Sequence, residues 1–282
     1  MPARTPVPVC ALVLAAGEGT RLRPLTATLP KALTPVGNVP LLDRALARLS
    51  RQGFSGPTQV AVNVCYLADQ VADHVGGRAF ISREPGPPAL GTAGAVAHLR
   101  DWTAGRAVLV GNSDAYLAPA DRQVDIATLL EGWDGETLRV LAVPSTDART
   151  SEFGSDLRFA GFSLLPADIA AGLPTGRGEL VKLAWRPAER AGRLEVIRYD
   201  GFYLDTGTPR DYLAANLHAA GGANLLAADA EVSGSAEASV VGARACVAGS
   251  VVRSVVLPGA VVEAGEHLVD AIRVGADVTM PA

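Results

Sequence analysis

The apolar positions fall into short continuous runs separated by stretches of helical period. Residues 9–15 (V-C-A-L-V-L-A) are apolar throughout and stop at Ala16-Gly17, the pattern of a strand buried in a parallel sheet. Pro40 opens a helical stretch in which Leu41, Leu42, Ala45, Leu46 and Leu49 share a face, and Gly53 closes it. Residues 60–64 read as the next strand, and a helix from Ala68 stops at Gly76-Gly77. A strand at 79–82, a helix at 92–102 and a buried strand at 107–110 follow. Further strands are expected at 138–143, 159–165 and 194–199. Thr208 stands as a cap before Pro209, and that helix runs to Ala220, where Gly221-Gly222 breaks it. Strands alternating with helices predict a Rossmann-like, doubly wound α/β fold with its ligand at the carboxyl ends of the strands.

After Ala223 the texture changes. No helical face recurs, and Val256, Val262, Leu268 and Val274 return every six residues. Val241 and Val247 keep the same step in another phase, with a slip near Arg253. Aliphatic residues at this period, with small residues between, predict a hexapeptide-like β-solenoid in which each hexad forms one flat side. An extra antiparallel sheet is the alternative. The chain is thus expected to divide into residues 1–221 and residues 222–282.

Composition narrows the function classes. Of 282 residues 49% are apolar and 19% charged, enough for a full core and against disorder as the main state. A net charge of -4 gives no reason to expect a nucleic-acid partner. Cys10, Cys65 and Cys246 are far apart and form no C-x-x-C pair, so neither a disulfide framework nor a thiolate zinc site is expected. The run at 7–16 is too short to span a membrane, and a soluble cytoplasmic protein without membrane partners is expected. Only two of the 25 basic residues are lysine, Lys31 and Lys182, which makes each worth attention.

The first strand runs into L-A-A-G-E-G-T-R-L-R-P-L-T, residues 14–26. Gly17 and Gly19 allow a tight turn whose amides face a ligand, an arrangement suited to phosphate oxygens. The third glycine of the dinucleotide fingerprint and the Gly-Lys-Ser/Thr of the P-loop are both missing. Arg21 and Arg23 follow at once, then Lys31 in P-K-A-L-T-P-V-G-N. Three cations beside a glycine loop point to a polyanionic substrate.

Residues 14–42 resemble the signature of the sugar-phosphate nucleotidyltransferases. Three further segments match in order: E-P-G-P-P-A-L-G-T-A-G-A (84–95), V-L-V-G-N-S-D (108–114) and G-F-Y-L-D-T-G-T-P (201–209). The likeness covers about residues 8–220, and the coil fits relatives that end in a left-handed β-helix. It implies that Ala15, Ala16, Gly17, Gly19 and Thr20 wrap the nucleotide, and that Glu84, Gly91 and Thr92 meet its base. Arg21, Lys31 and Asp114 are implied as catalytic, Asp114 and Asp205 as ligands of Mg2+, and Ala160-Gly161 as the sugar contact. The implied reaction is attack by a sugar-1-phosphate on the α-phosphorus of a nucleoside triphosphate, releasing pyrophosphate. The segments L-G-T-A-G and V-N-V-C-Y-L-A-D-Q-V most resemble mannose-1-phosphate guanylyltransferases, which implies GTP and mannose-1-phosphate. Thymidylyl and uridylyl relatives, including N-acetylmuramate-1-phosphate uridylyltransferases, share much of the pattern.

One departure stands out. Many relatives carry Glu-Lys-Pro before the sugar loop, and nothing between Val143 and Phe159 matches it. Either Arg158, Lys182 or another cation replaces it, or the sugar-phosphate site is built differently. Three rival readings differ in what they need. A regulatory member of the fold tends to lose a site cation or carboxylate, whereas Arg21, Lys31, Asp114 and Asp205 are all present. A solenoid acyltransferase needs a histidine base in a long stack, and the tail holds only His267. A related glycosyltransferase needs D-x-D, where this chain has Asn112-Ser113-Asp114. A short coil buries its apolar sides poorly alone, so a homo-oligomer is expected through it.

Overall fold

The computed structural model describes residues 7–120, 125–145, 151–154 and 156–282. The chain forms two compact units that interleave in sequence. One takes the chain up to Gly17 and from Arg44 to Tyr203; the other takes Glu18–Asp43 and Leu204–Ala282. The sequence pattern marks where the coil starts but carries no sign that residues 18–43 group with it.

The first unit is built on a seven-stranded sheet. Its strands are β1 (Val9–Leu14), β2 (Val60–Val64), β3 (Phe80–Arg83), β4 (Ala107–Asn112), β5 (Leu138–Pro144), β6 (Leu157–Leu165) and β7 (Leu194–Arg198). They lie in the order β7-β5-β6-β4-β1-β2-β3. β1 pairs in parallel with β2 and β4, as the apolar runs predict. β6 runs antiparallel to both of its neighbours, so the sheet is mixed rather than wholly parallel. The register sets Leu14, the last residue of β1, opposite Asn63 on one side and Asn112 on the other.

Helices follow the predicted places with one break. After α1 (Leu41–Arg51) and α2 (Ala68–Val75), the helix expected at 92–102 splits into α3 (Gly91–His98) and a short turn, Arg100–Thr103. Leu99 separates them, with φ −94 and ψ 13, and its amide turns back to the carbonyls of Val96 and Ala97. Ala93, Ala95 and Ala97 of α3 are buried in the core shared with Leu12, Val108, Val110 and Trp185. Small side chains let this helix lie close to the sheet, and they account for a core with few rings.

In the second unit, residues 18–43 make three single 3-10 turns and a small hairpin, Pro35–Val36 with Val39–Pro40. Gly37 and Asn38, both at positive φ, form its tip. Helix α4 (Pro209–Ala220) packs beside it. The Thr208 hydroxyl caps α4 by accepting from the Asp211 amide, and Gly221 ends it in the left-handed region. The buried Asn216 carboxamide accepts from the Gly37 amide at 2.9 Å, and the Tyr212 hydroxyl donates to the Pro35 carbonyl. Asn38 donates to the carbonyls of Leu225 and Val241, at 3.3 and 3.1 Å. These bonds tie the hairpin to α4 and to the first two turns of the coil.

The coil itself has three parallel ladders. Leu225 faces Val240, Glu231 faces Cys246 and Ser235 faces Ser250, each fifteen residues on. The next turn lengthens: Ser250 faces His267 and Val255 faces Ile272. Val256 and Val262, one hexad apart, are fully buried on successive sides. The slip near Arg253 has a cause. Ala238, Arg253 and Asp270 hold the same corner of three successive turns at positive φ, and that corner breaks the hexad count. Inside it, the Ser239 hydroxyl accepts from the Ser254 amide, and the Ser254 hydroxyl from the Ala271 amide. An antiparallel strand, Val278–Pro281, closes the far end of one ladder. The alternative of an extra antiparallel sheet is set aside by these parallel pairings.

Candidate active site

The predicted residues fall into two sets, one in each unit. In the second unit Gly19 begins the first 3-10 turn at φ 63. A β-carbon there would lie 3.0 Å from Lys31 Cβ and 3.1 Å from Thr26 Cγ2, so the positive φ favours glycine and the close side chains leave little room for anything larger. The Gly19 carbonyl accepts from the Thr26 hydroxyl at 2.7 Å, which pins the loop across seven residues. Lys31 leaves this floor at the start of its own turn, its side chain only 11% exposed. Its Nζ lies 3.6 Å from Asp205 Oδ1, and Arg21 Nη2 lies 4.0 Å from Asp205 Oδ2. Asp205 ends the strand Phe202–Asp205 and is half-exposed. Arg21, Lys31 and Asp205, named from separate motifs, thus meet. Arg23 pairs instead with Glu18 at 3.5 Å.

In the first unit the other set gathers at the carboxyl end of β1. Ala15 and Ala16 are buried, and the Ala15 amide donates to Asn63 Oδ1 at 2.8 Å. Asn63 Nδ2 donates to Glu84 Oε1 at 2.7 Å, and Glu84 Oε2 accepts from the Leu90 amide at 2.6 Å. Glu84 Oε1 therefore ties the loop to the glycine strand through Asn63, and Oε2 closes loop 84–90 on itself. Asn63 was not singled out in the sequence, although a polar residue inside the apolar run 60–64 was a visible signal.

Gly91 opens α3 at φ 76, where a β-carbon would come within 2.6 Å of both Gly178 O and Glu179 Oε1. The Thr92 hydroxyl donates to Glu179 Oε2 at 2.9 Å and accepts from the Leu180 amide at 2.7 Å. Gly91 and Thr92 therefore hold segment 178–180 against the helix start. Asp114 follows β4 in a turn, after Ser113, whose amide donates to the Leu14 carbonyl at 3.1 Å. Ala160 is fully buried, and Gly161 lies against Ala115. Arg158 sits over the Tyr203 ring at 5.1 Å, while Lys182 lies exposed on the π-helical turn Val181–Trp185.

A cleft of about 180 Å³ opens beside this set. Its floor is one face of the sheet, Leu14, Val110, Asn112 and Ser163, and its walls include Thr92, Glu179 and Trp185. Sequence reasoning did not find Glu152, Ser163, Glu179 or Trp185. Their spacing carries no motif, and only the fold brings them together.

Among the described residues no three His, Cys, Asp or Glu side chains form a closed cage. Magnesium needs no such cage, since it takes one or two carboxylates and completes its shell with phosphate oxygens and water. The half-exposed Asp205 carboxylate suits that role.

The profile of the family described as Nucleotidyl transferase matches residues 10–155. The chain belongs to the nucleotidyl transferase family. An N-acetylmuramate alpha-1-phosphate uridylyltransferase of Neisseria meningitidis serogroup B is 30% identical over 70% of this chain and 93% of its own length. A Sulfolobus acidocaldarius protein, provisionally named a mannose-1-phosphate guanyltransferase, is 28% identical over 74% of this chain and 62% of its own length. A crystal structure from Bacillus anthracis, provisionally assigned as a glucose-1-phosphate thymidylyltransferase, shares the fold. It matches at TM-score 0.65 and 20% identity, over 75% of this chain and 95% of that one. The chain is therefore a nucleotidyltransferase enzyme. No helix among the described residues is long and apolar enough to cross a membrane.

Proposed function

We propose that this nucleotidyltransferase moves a nucleoside monophosphate from a nucleoside triphosphate to a sugar-1-phosphate, giving a nucleoside-diphosphate sugar and pyrophosphate. The observation that carries the reading is the meeting of Lys31, Arg21 and Asp205 beside the Gly19 loop. Two cations held on a carboxylate are poised to exchange it for phosphate oxygens.

The roles follow from charge. The Gly17–Gly19 loop presents backbone amides to the triphosphate, and Arg21 and Lys31 neutralise charge that builds on the leaving pyrophosphate. The compact ammonium of Lys31, on a nearly buried stem, is the more fixed of the two. Asp205 would offer magnesium a carboxylate, the role the family resemblance also implies for Asp114, and the ion would supply Lewis-acid polarisation of the phosphates when bound. A phosphate monoester has its second pKa near about 6, so the attacking sugar phosphate is largely dianionic at neutral pH and needs no general base. Positioning and charge neutralisation supply the rate.

GTP with mannose-1-phosphate is the pair the sequence pattern favours. UTP with N-acetylmuramate-1-phosphate is the second reading, supported by the Neisseria relative and by the missing Glu-Lys-Pro segment. Pyrophosphate release with magnesium, a set of nucleoside triphosphates and a panel of sugar-1-phosphates tests the proposal. Release with one nucleotide–sugar pair well above the others is expected; none with any pair refutes it.

A further inference from the structure

The turn that carries Asp114 is held from two sides. Before it, β4 runs into Ser113, whose amide donates to the Leu14 carbonyl at 3.1 Å. After it comes the strand Ala115–Ala118, in which Ala115, Tyr116 and Leu117 are buried. Arg44 and Arg48, one turn apart on α1, grip this strand at successive residues. The Arg44 guanidinium lies over the Tyr116 ring at 5.4 Å, and Arg48 Nη2 donates to the Leu117 carbonyl at 2.8 Å.

Arg48 is 4% exposed, and its Nε donates to both oxygens of the fully buried Asp125, at 2.7 and 2.9 Å. Two charges taken out of water lose hydration that their attraction offsets only in good geometry, and a packed apolar pair of similar volume is often as stable. Stability therefore does not account for this pair. Its distinguishing property is direction. A planar guanidinium fixed at Nε by Asp125 has its Nη2 aimed along one line, so the Leu117 carbonyl is met at one position. Arg51, half-exposed, reaches the same carboxylate at 3.4 Å and among the described residues bonds Asp125 alone.

What the strand carries makes that position matter. Ala115 follows Asp114 directly, and a β-carbon on Gly161 would collide with Ala115 Cβ. Asp114, implied as a magnesium carboxylate, and Gly161, implied as a sugar contact, thus both take their places from one strand.

We infer that the buried Arg48–Asp125 pair positions the strand Ala115–Ala118 for the transfer, and through it Asp114. Arg48 and Asp125 are positioning residues, acting through the strand rather than on the substrate. The inference rests on the proposed transfer to a sugar-1-phosphate and deepens it. Misplacing a reacting group by about 1 Å costs on the order of 100-fold in rate.

Arg48→Lys keeps the charge beside Asp125, but one ammonium lacks the fork that serves Asp125 and Leu117 together. Arg48→Met with Asp125→Leu removes both charges and keeps apolar volume, which guards against a fold lost to one unpaired buried charge. Arg51→Ala removes a partner of Asp125 without touching the strand. Pyrophosphate release by the whole chain and each variant gives kcat and the triphosphate KM. Mn2+ binding in the presence of triphosphate, followed by electron paramagnetic resonance, reads the metal site apart from turnover. Circular dichroism and thermal melts report the fold. The expected result for Arg48→Lys and for the double variant is a kcat lowered about 10-fold or more and weakened Mn2+ binding, with the triphosphate KM within about twofold. Arg51→Ala is expected to match the wild type in all three. Folded variants of the pair that keep kcat and Mn2+ binding, or that change Tm alone, overturn the inference, as does an Arg51→Ala loss as large as theirs. Absence of wild-type turnover with every nucleotide–sugar pair instead defeats the transferase reading, and the Mn2+ comparison then judges the positioning by itself.

Discussion

Replacing Asn63 by alanine tests the link between the glycine strand and loop 84–90. Asn63 is 3% exposed and makes two bonds of opposite sense, accepting from Ala15 N and donating to Glu84 Oε1. Alanine removes both and leaves a buried amide and a buried carboxylate oxygen each short of a partner. Each orphan costs about 1–3 kcal/mol, and the two together about 3 kcal/mol if the site relaxes in part. In a unit of this size that lowers Tm by about 6–12 °C. Urea unfolding followed by circular dichroism gives the free energy, and scanning calorimetry gives Tm. Asn63→Asp keeps the acceptor for Ala15 but sets a second carboxylate against Glu84, so it loses at least as much at neutral pH. If Asn63→Ala stays within about 0.5 kcal/mol of the wild type, the bridge is not holding the loop and the assignment is wrong.

Other perturbations follow from the same geometry. Lys31→Ala lowers kcat about 100-fold or more with an unchanged circular-dichroism spectrum, and near-normal turnover would remove Lys31 from the site. Gly91→Ala loses at least about 2 kcal/mol in denaturant unfolding, because its positive φ and the two oxygens at 2.6 Å both oppose a β-carbon; a neutral result would mean that segment 178–180 moves freely. Burial pushes the Cys10 thiol up to about 11, so it stays protonated at pH 8, and its side chain is buried whereas Cys246 is exposed. Iodoacetamide at pH 8 followed by peptide mass spectrometry is expected to label Cys246 in the native protein and Cys10 only after unfolding. The same shift leaves stability unchanged below about pH 9, where the thiol is neutral in both states, and lowers it as pH rises towards 11, because only the unfolded thiol then ionises freely.

Much of the architecture was legible because local pattern and tertiary role coincide. Continuous apolar runs marked β1, β2 and β4, and Thr208-Pro209 with Gly221 bracketed α4. Lys31 was legible for a different reason: a chain with two lysines holds one of them beside Asp205. What was missed depends on distant pairing. Asn38 meets carbonyls 187 and 203 residues away, and no local signal foretells that a segment near the start braces the coil. Ser163 and Trp185 look like ordinary core residues in sequence, and only the register of β6 with β4 brings Ser163 opposite Val110 on the cleft floor. The coil's phase slip was visible, but its cause, a repeated positive-φ corner at 238, 253 and 270, was not.

In the proposed transfer the bond broken lies between the α- and β-phosphorus of the triphosphate. Two parallel incubations of the whole chain, with magnesium and the preferred sugar-1-phosphate, decide it, one with triphosphate labelled at the α-phosphorus and one at the γ-phosphorus. The α-label is expected in the nucleotide sugar and the γ-label only in pyrophosphate. Transfer of the γ-label to the sugar product would contradict it.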